Sequence, residues 1–209
     1  MNITTGRPPT MAPRGMVVSP HALASEAGVE ILKAGGSAGD AAIATSAALS
    51  VLYPHMTGLG GDAFWLIYDA QANRVRYLDA AGRAAASASI GWFEQRGLSE
   101  IPFRGVLPAT LTVPGAVDGW TSVHAEFGRV PLARSLARAI ELARDGFPVT
   151  ARLAYWIRSV AEQKAFNDDA VRVFMPNGNA PRAGARLVNA GLARSIASIA
   201  DGGRAAFYE

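Results

Sequence analysis

The sequence predicts a mixed α/β chain, with helices and one strand pair in its first half and helices through most of its second. Three observations carry this. Two stretches rich in small residues, after Ser19-Pro20 and after Ser37, keep helical spacing and stop at Gly35-Gly36 and before Tyr53-Pro54. A Gly-rich loop, Gly58-Leu59-Gly60-Gly61-Asp62, then runs straight into the apolar run Ala63 to Asp69. From Gly115 onward the apolar spacing is helical, interrupted at Gly128, Gly146, Asn167-Asp168-Asp169 and Gly202.

In chain order, residues 1–14 are polar and proline-rich and read as a flexible tail, and 15–209 as one segment. Gly15 to Ser19 is a continuous apolar run, expected to be a short buried strand. Ser19 followed by Pro20 reads as a helix cap with proline at the first helical position. Ala24, Ala27, Gly28, Ile31 and Leu32 share one face of that helix, and Gly35-Gly36 ends it through a left-handed residue. Ser37 with Asp40 three residues later predicts a capping box for a second helix. That helix carries Ala38, Ala41, Ala42, Ala44, Ala47 and Ala48. Small side chains nearly all round imply close neighbours on several sides, and a sheet is the expected one.

Ala63 to Asp69 and Arg74 to Asp79, joined by the polar Ala70 to Asn73, predict a hairpin. Both faces of its first strand are apolar, so burial between two layers is expected. A short helical piece surrounds Trp92-Phe93, and Ile101 to Val113 is loop-like, punctuated by Pro102 and Pro108. Helices are expected near 115–127, 131–145, 151–165 and 190–201, with Pro131 opening the second, Thr150 capping the third and Asn189 the fourth. The aromatic residues Trp65, Tyr68, Trp92, Phe93, Trp120 and Trp156 are expected in the core.

Composition narrows the function classes. Half of the 209 residues are hydrophobic and 18% are charged, which describes a packed globular chain. The net charge is +3, and the basic residues, all arginine except Lys33 and Lys164, are scattered without interleaved aromatics. No nucleic-acid partner is therefore expected. Cysteine is absent, which removes disulfides and thiolate chemistry. No run is apolar enough to span a bilayer, so no membrane partner is expected. No secretory signal precedes the first apolar run, which points to the cytoplasm.

Candidate sites are few. A dinucleotide loop needs a strand before it and a helix after it, and Gly58 to Asp62 has the reverse order, so a structural turn that lets backbones approach is expected. His21, His55 and His124 are far apart and belong to no metal or triad motif, with His21 expected in a first helical turn and His55 in a turn after Pro54. Asn167-Asp168-Asp169 lacks the ligand pattern of a calcium loop and reads as a solvated helix-to-strand turn. No metal or other cofactor is expected.

Taken together, GMVVSPHALASEAGVEILKAGGSAGDAAIA (15–44) and YPHMTGLGGDAFWLIYD (53–69) resemble the start of the large subunit of the γ-glutamyltranspeptidase family. Pro114-Gly115-Ala116-Val117, Leu142 to Val149 and Asn189 to Tyr208 are similar to later segments of that subunit. The resemblance implies an αββα four-layer sandwich of the N-terminal-nucleophile hydrolases. To this the chain would supply a strand–helix part and a helical lobe.

The resemblance also implies a threonine acyl-enzyme acting on γ-glutamyl amides such as glutathione. The threonine comes from a small subunit released by autocleavage, and it has no counterpart here: Thr4-Thr5 lies in the proline-rich tail. No catalytic residue is therefore expected in this chain, which alone is expected to be inactive; its partners would be the small subunit and the rest of the large one. In the family an arginine after the hairpin grips the substrate α-carboxylate. Counted from Asp79 that arginine falls on Ala81, and Arg83, two residues later, is the substrate-binding candidate. Alternatives are a non-catalytic remnant, an acylase of the same family with another acyl preference, or a small-molecule module using the Gly-rich loop.

Overall fold

The computed structural model describes residues 9–101 and 111–209. Most of the expected tail, including Thr4-Thr5, and most of the proline-punctuated loop lie outside the described residues. Residues 9–14 are exposed and carry neither helix nor strand.

The first two helices are α1 (Ala22–Lys33) and α2 (Ala38–Leu52). Helix α1 begins two residues later than predicted. Its cap is His21, whose Nδ1 accepts from the Leu23 N–H at 3.2 Å, while the Ser19 hydroxyl donates to the His21 carbonyl. It ends as a Schellman turn. Gly36 N–H donates to the Ile31 carbonyl and Gly35 N–H to that of Leu32, with Gly35 at φ +89°. The capping box of α2 forms as expected between Ser37 and Asp40. Gly15 to Ser19 is not a strand: no described segment offers it a ladder partner, and Met16 and Val18 are exposed.

Small residues let α2 sit among other helices, not against a sheet. It packs on α1, on α4 (Ala116–Phe127) and on α5 (Leu132–Asp145). A Cβ at Gly28 of α1 would lie 2.3 Å from Thr45 Oγ1 and 3.0 Å from the Ala41 carbonyl, which measures how closely the two helices cross. Polar residues within α2 are paired locally, Thr45 Oγ1 donating to the Ala41 carbonyl and Ser50 Oγ to that of Ala47. Trp120 of α4, 1% exposed, donates its indole N–H to Ser46 Oγ.

The hairpin pairs β1 (Ala63–Asp69) with β2 (Arg74–Ala80). Ala63, Trp65, Ile67 and Leu78 turn inward toward α4, where Gly119 fits against Ala63, Trp65 and Ala80. Arg76 on the same face pairs with Glu126 and lies over the Phe127 ring. The opposite face is not buried as predicted: Phe64, Leu66, Tyr68, Val75 and Tyr77 are each more than 60% exposed. The alternation of a strand fixes which residues share a face, and no described element covers this one. Tyr68 accordingly is not core; among the aromatic residues expected there only Trp120 is fully buried.

After α3 (Ile90–Glu94), α4 and α5, two short strands, β3 (Phe147–Pro148) and β4 (Arg186–Leu187), pair antiparallel and bury Phe147 and Leu187. Neither was evident in the sequence. Thr150 caps α6 (Ala151–Glu162), which is three residues shorter than expected. Asn167 is not part of a helix-to-strand turn but the cap of a further helix, α7 (Asp168–Phe174), with both aspartates in its first turn. Asn189 caps α8 (Ala190–Gly202), which packs on α5, and the short α9 (Ala205–Tyr208) comes last.

The His21 cap works only with an unprotonated Nδ1, and burial pushes this imidazole below its ordinary value. The unfolded chain therefore takes up the proton first. The cap contributes fully above about pH 6.5 and is lost as pH falls through the lowered folded value. From about pH 7.5 to about pH 5 the thermal midpoint of the protein is expected to fall further than that of His21→Asn, whose cap does not titrate. Equal decreases would contradict this role.

Candidate functional site

The Gly-rich loop between α2 and β1 anchors two other segments. Its Gly61 carbonyl accepts from the Gly115 and Ala116 N–H groups at 3.0 and 2.9 Å, tethering the start of α4. The Asp62 carboxylate accepts from the Gly82 N–H at 2.9 Å, and Asp79 accepts from the Ala81 N–H. The chain leaving β2 then pairs with the chain entering α4: Val113 N–H donates to the Arg83 carbonyl, and Ala84 bridges Thr112.

The backbones meet without room for a side chain. A Cβ at Gly82 would lie 1.5 Å from the Val113 carbonyl oxygen, and one at Gly115 would lie 1.9 Å from that of Ala80. The close approach expected within the Gly-rich loop is thus found at Gly82 and Gly115. At Gly58 and Gly60 a Cβ would meet nothing within 4 Å among the described residues.

Arg83 stands on this backbone clasp, its side chain exposed, at the edge of a cleft of about 280 Å3. Asp79, Pro114, Asp118, Arg204 and Tyr208 also line it. The far wall is fixed by contacts across some 90 residues of sequence. Arg204 Nε donates to Asp118 Oδ1 at 2.6 Å and its guanidinium lies over the Tyr208 ring. The Tyr208 hydroxyl donates to the Pro114 carbonyl at 2.6 Å and accepts from the Asp118 N–H at 3.1 Å. Burial raises the Tyr208 phenol above its usual value.

The charges divide unequally. Asp118 holds Arg204, and Asp79 is engaged by backbone. Arg83 makes no ion pair among the described residues, so one guanidinium faces the cleft with its donors free for a carboxylate. Arg83, the residue singled out from the sequence, lines this cleft together with Asp118, Arg204 and Tyr208, which the sequence reading did not single out as site residues. Nothing in their spacing announces that they converge.

Other candidates disperse. The Gly-rich loop comes after a helix and before a strand, so it does not lead into a helix of its own, and the helix start that meets it, that of α4, donates its first N–H groups to the Gly61 carbonyl. His21 caps α1, His55 stacks with Trp156 and meets the Tyr53 ring at a tilt of 53°, and His124 Nε2 lies 2.9 Å from the Val130 carbonyl. Among the described residues no three His, Asp or Glu side chains gather as a metal site would need. No helix among them is long and apolar enough to cross a membrane.

Comparison with known proteins gives this arrangement a context. Residues 24–209 match the family model described as gamma-glutamyltranspeptidase. The chain is 45% identical over 194 residues to the glutathione hydrolase-like YwrD proenzyme of Bacillus subtilis, covering 93% of this chain and 36% of that protein. It is 41% identical to the oxamate amidohydrolase proenzyme of Klebsiella pneumoniae, covering 93% and 37% respectively. It superposes on the crystal structure of Helicobacter pylori gamma-glutamyltranspeptidase with a TM-score of 0.88 at 28% identity, over 97% of this chain and 58% of that one. The chain thus spans little more than a third of the length of these two curated relatives.

The clasp makes a sharp stability contrast. Gly82→Ala is expected to lose about 2 kcal/mol or more by urea unfolding, because backbone must move to admit the methyl group. Gly60→Ala is expected to stay within about 0.5 kcal/mol of the parent. Comparable losses at both positions would mean that the clasp is not where the backbones are tightest.

Proposed function

The chain belongs to the γ-glutamyltranspeptidase family, and on that premise we propose that residues 15–209 are the N-terminal part of the large subunit of an amide hydrolase or acyltransferase made as a proenzyme. The observation that carries this is the family match over 24–209, joined to coverage of only 36% of the similar proenzyme. The substrates are γ-glutamyl amides such as glutathione.

In this reading the nucleophile is a threonine hydroxyl at the start of the small subunit, with its own α-amine as base. The hydroxyl oxygen attacks the amide carbonyl, the amine leaves with a proton, and the acyl group stays on the threonine until water or a second amine takes it. Oxyanion donors come from the same subunit. Residues 15–209 supply the cleft wall. Arg83 binds the substrate carboxylate, and the clasp of Gly61, Asp62 and Gly82 holds the backbone from which it projects. The exposed hairpin face of Phe64, Leu66, Tyr68, Val75 and Tyr77 is where the remainder of the proenzyme covers the sheet.

A second reading has one observation in its favour. The carboxylate-gripping arginine expected from the family would stand at Ala81, and Arg83 lies two residues on, behind Gly82. A shifted guanidinium suits a shorter or differently placed acid. A relative with 41% identity is named an oxamate amidohydrolase.

An Arg–carboxylate contact is worth about 1.5–3 kcal/mol. Arg83→Ala in the full-length protein is therefore expected to lower kcat/KM for a γ-glutamyl anilide by about ten- to a hundredfold, with autocleavage unchanged. Unaltered kcat/KM would remove Arg83 from substrate binding. A larger loss with oxamate than with the anilide would favour the second reading. A polypeptide of residues 1–209 alone is expected to turn over no γ-glutamyl anilide, and measurable activity would overturn the assignment of the nucleophile to the small subunit.

A further inference from the structure

Gly61 and Asp62, adjacent in the Gly-rich loop, line neither wall of the Arg83 cleft, yet each holds one of them. The Gly61 carbonyl accepts from the Gly115 and Ala116 N–H groups and so fixes the segment that supplies Pro114 and Asp118 to the far wall. Asp62 Oδ1 accepts from the Gly82 N–H at 2.9 Å, across 20 residues of sequence, and holds the near wall, where Arg83 stands. Thr112 Oγ1 lies 3.5 Å from the same oxygen.

Residues 81–83 hang from three anchors. The Ala81 N–H is held by Asp79, the Gly82 N–H by Asp62, and the Arg83 carbonyl by the Val113 N–H. The Asp79 contact closes a local turn and travels with its own segment. The Val113 contact ties Arg83 to the chain entering α4. Of the three, the Asp62 contact is the one that reaches the Gly-rich loop. Gly82 has no side chain whose packing could fix its wide backbone freedom, so a hydrogen bond has to do so. Asp62 is exposed and makes no ion pair with Arg83 among the described residues. It therefore leaves the guanidinium unoccupied and acts on it through the peptide.

On the reading that Arg83 binds the substrate carboxylate, we propose that Asp62 is a positioning residue that sets where the guanidinium stands against the α4 wall, and thereby which length of acid the cleft accepts. Asp62 itself touches no substrate. With its carboxylate on the Gly82 N–H, the backbone behind Arg83 keeps one orientation. Without it that N–H turns to water, the guanidinium sweeps a wider arc, and binding energy for the acid that fits is spent on ordering the arginine. An acid that fits poorly loses less, so discrimination falls with affinity.

The test is steady-state kinetics of the full-length protein on a γ-glutamyl anilide and on the β-aspartyl anilide, which is one methylene shorter, with autocleavage as the control for folding. Asp62→Ala is expected to raise KM for the better of the two about fivefold, the worth of one net hydrogen bond, to change kcat by less than about twofold, and to narrow the preference between the anilides. Asp62→Asn keeps an acceptor oxygen and is expected to stay within about twofold of the parent. In an Arg83→Ala background Asp62→Ala is expected to change KM by less than about twofold, because the two residues act as one unit. Asp62→Ser, whose oxygen falls one bond short of the Gly82 N–H, is a second truncation with the same expectation if the alanine variant does not fold. Parental KM in the truncations, an undiminished preference, an asparagine variant as impaired as alanine, or an increase in KM that persists without Arg83 would overturn the role of Asp62 and leave that of Arg83 standing. Parental kinetics of Arg83→Ala alone would overturn both.

Discussion

The fold depends on α2 having almost no side-chain width. Ala41, Ala44, Ala47 and Ala48 are at most 4% exposed, and α1, α4 and α5 all pack on this one helix. Alanine contributes little apolar area by itself. Its value here is distance: backbones approach until the larger residues Ile43, Val51 and Leu52 meet Trp120, Val123 and Leu136 in one cluster. A wider residue at an alanine position would push neighbouring helices apart and open gaps elsewhere, because an interior at crystal density has no slack. Asp40 extends the same logic to polar contacts. Fully buried, its Oδ2 accepts from the Ser37 N–H of its own cap and from the Arg129 N–H at the entry to α5.

From that helical body a chain of backbone contacts leads to the Arg83 cleft. Trp120 ties α4 to α2, Gly119 seats the hairpin on α4, and Gly61 holds the start of α4. Arg83 is thus placed by main-chain geometry, which is stiffer than any arrangement of surface side chains. The opposite wall uses side chains instead, Asp118, Arg204 and Tyr208, and so depends on how the last helix of the chain returns to α4. One wall is thus set by main chain and the other is delivered from distant sequence.

Local features were legible where their cause is local. The capping box at Ser37-Asp40, the Gly35-Gly36 turn and the Thr150 and Asn189 caps each arise within about six residues, the hairpin within 63–80, and all appear as read. Misreadings occurred where a neighbour decides. Gly15 to Ser19 has strand composition, but composition supplies no ladder partner. The alternation in β1 told which residues share a face and not whether that face would be covered. Asn167-Asp168-Asp169 is as good a helix start as a turn, and only the packing of Phe174 against Phe166 and the core chooses between them.

What the sequence by itself determined is the α/β order of elements and the family. These rest on short-range spacing and on a motif set read in order. Tertiary structure alone decided that the tightest backbone contact is at Gly82 and Gly115, and that Asp118, Arg204 and Tyr208 complete the cleft. It also decided that His55 and Trp156 meet with their ring nitrogens unpaired among the described residues. Each of these is a contact between segments about thirty to a hundred residues apart. No local propensity encodes such a meeting; it exists only once the helices have packed on α2.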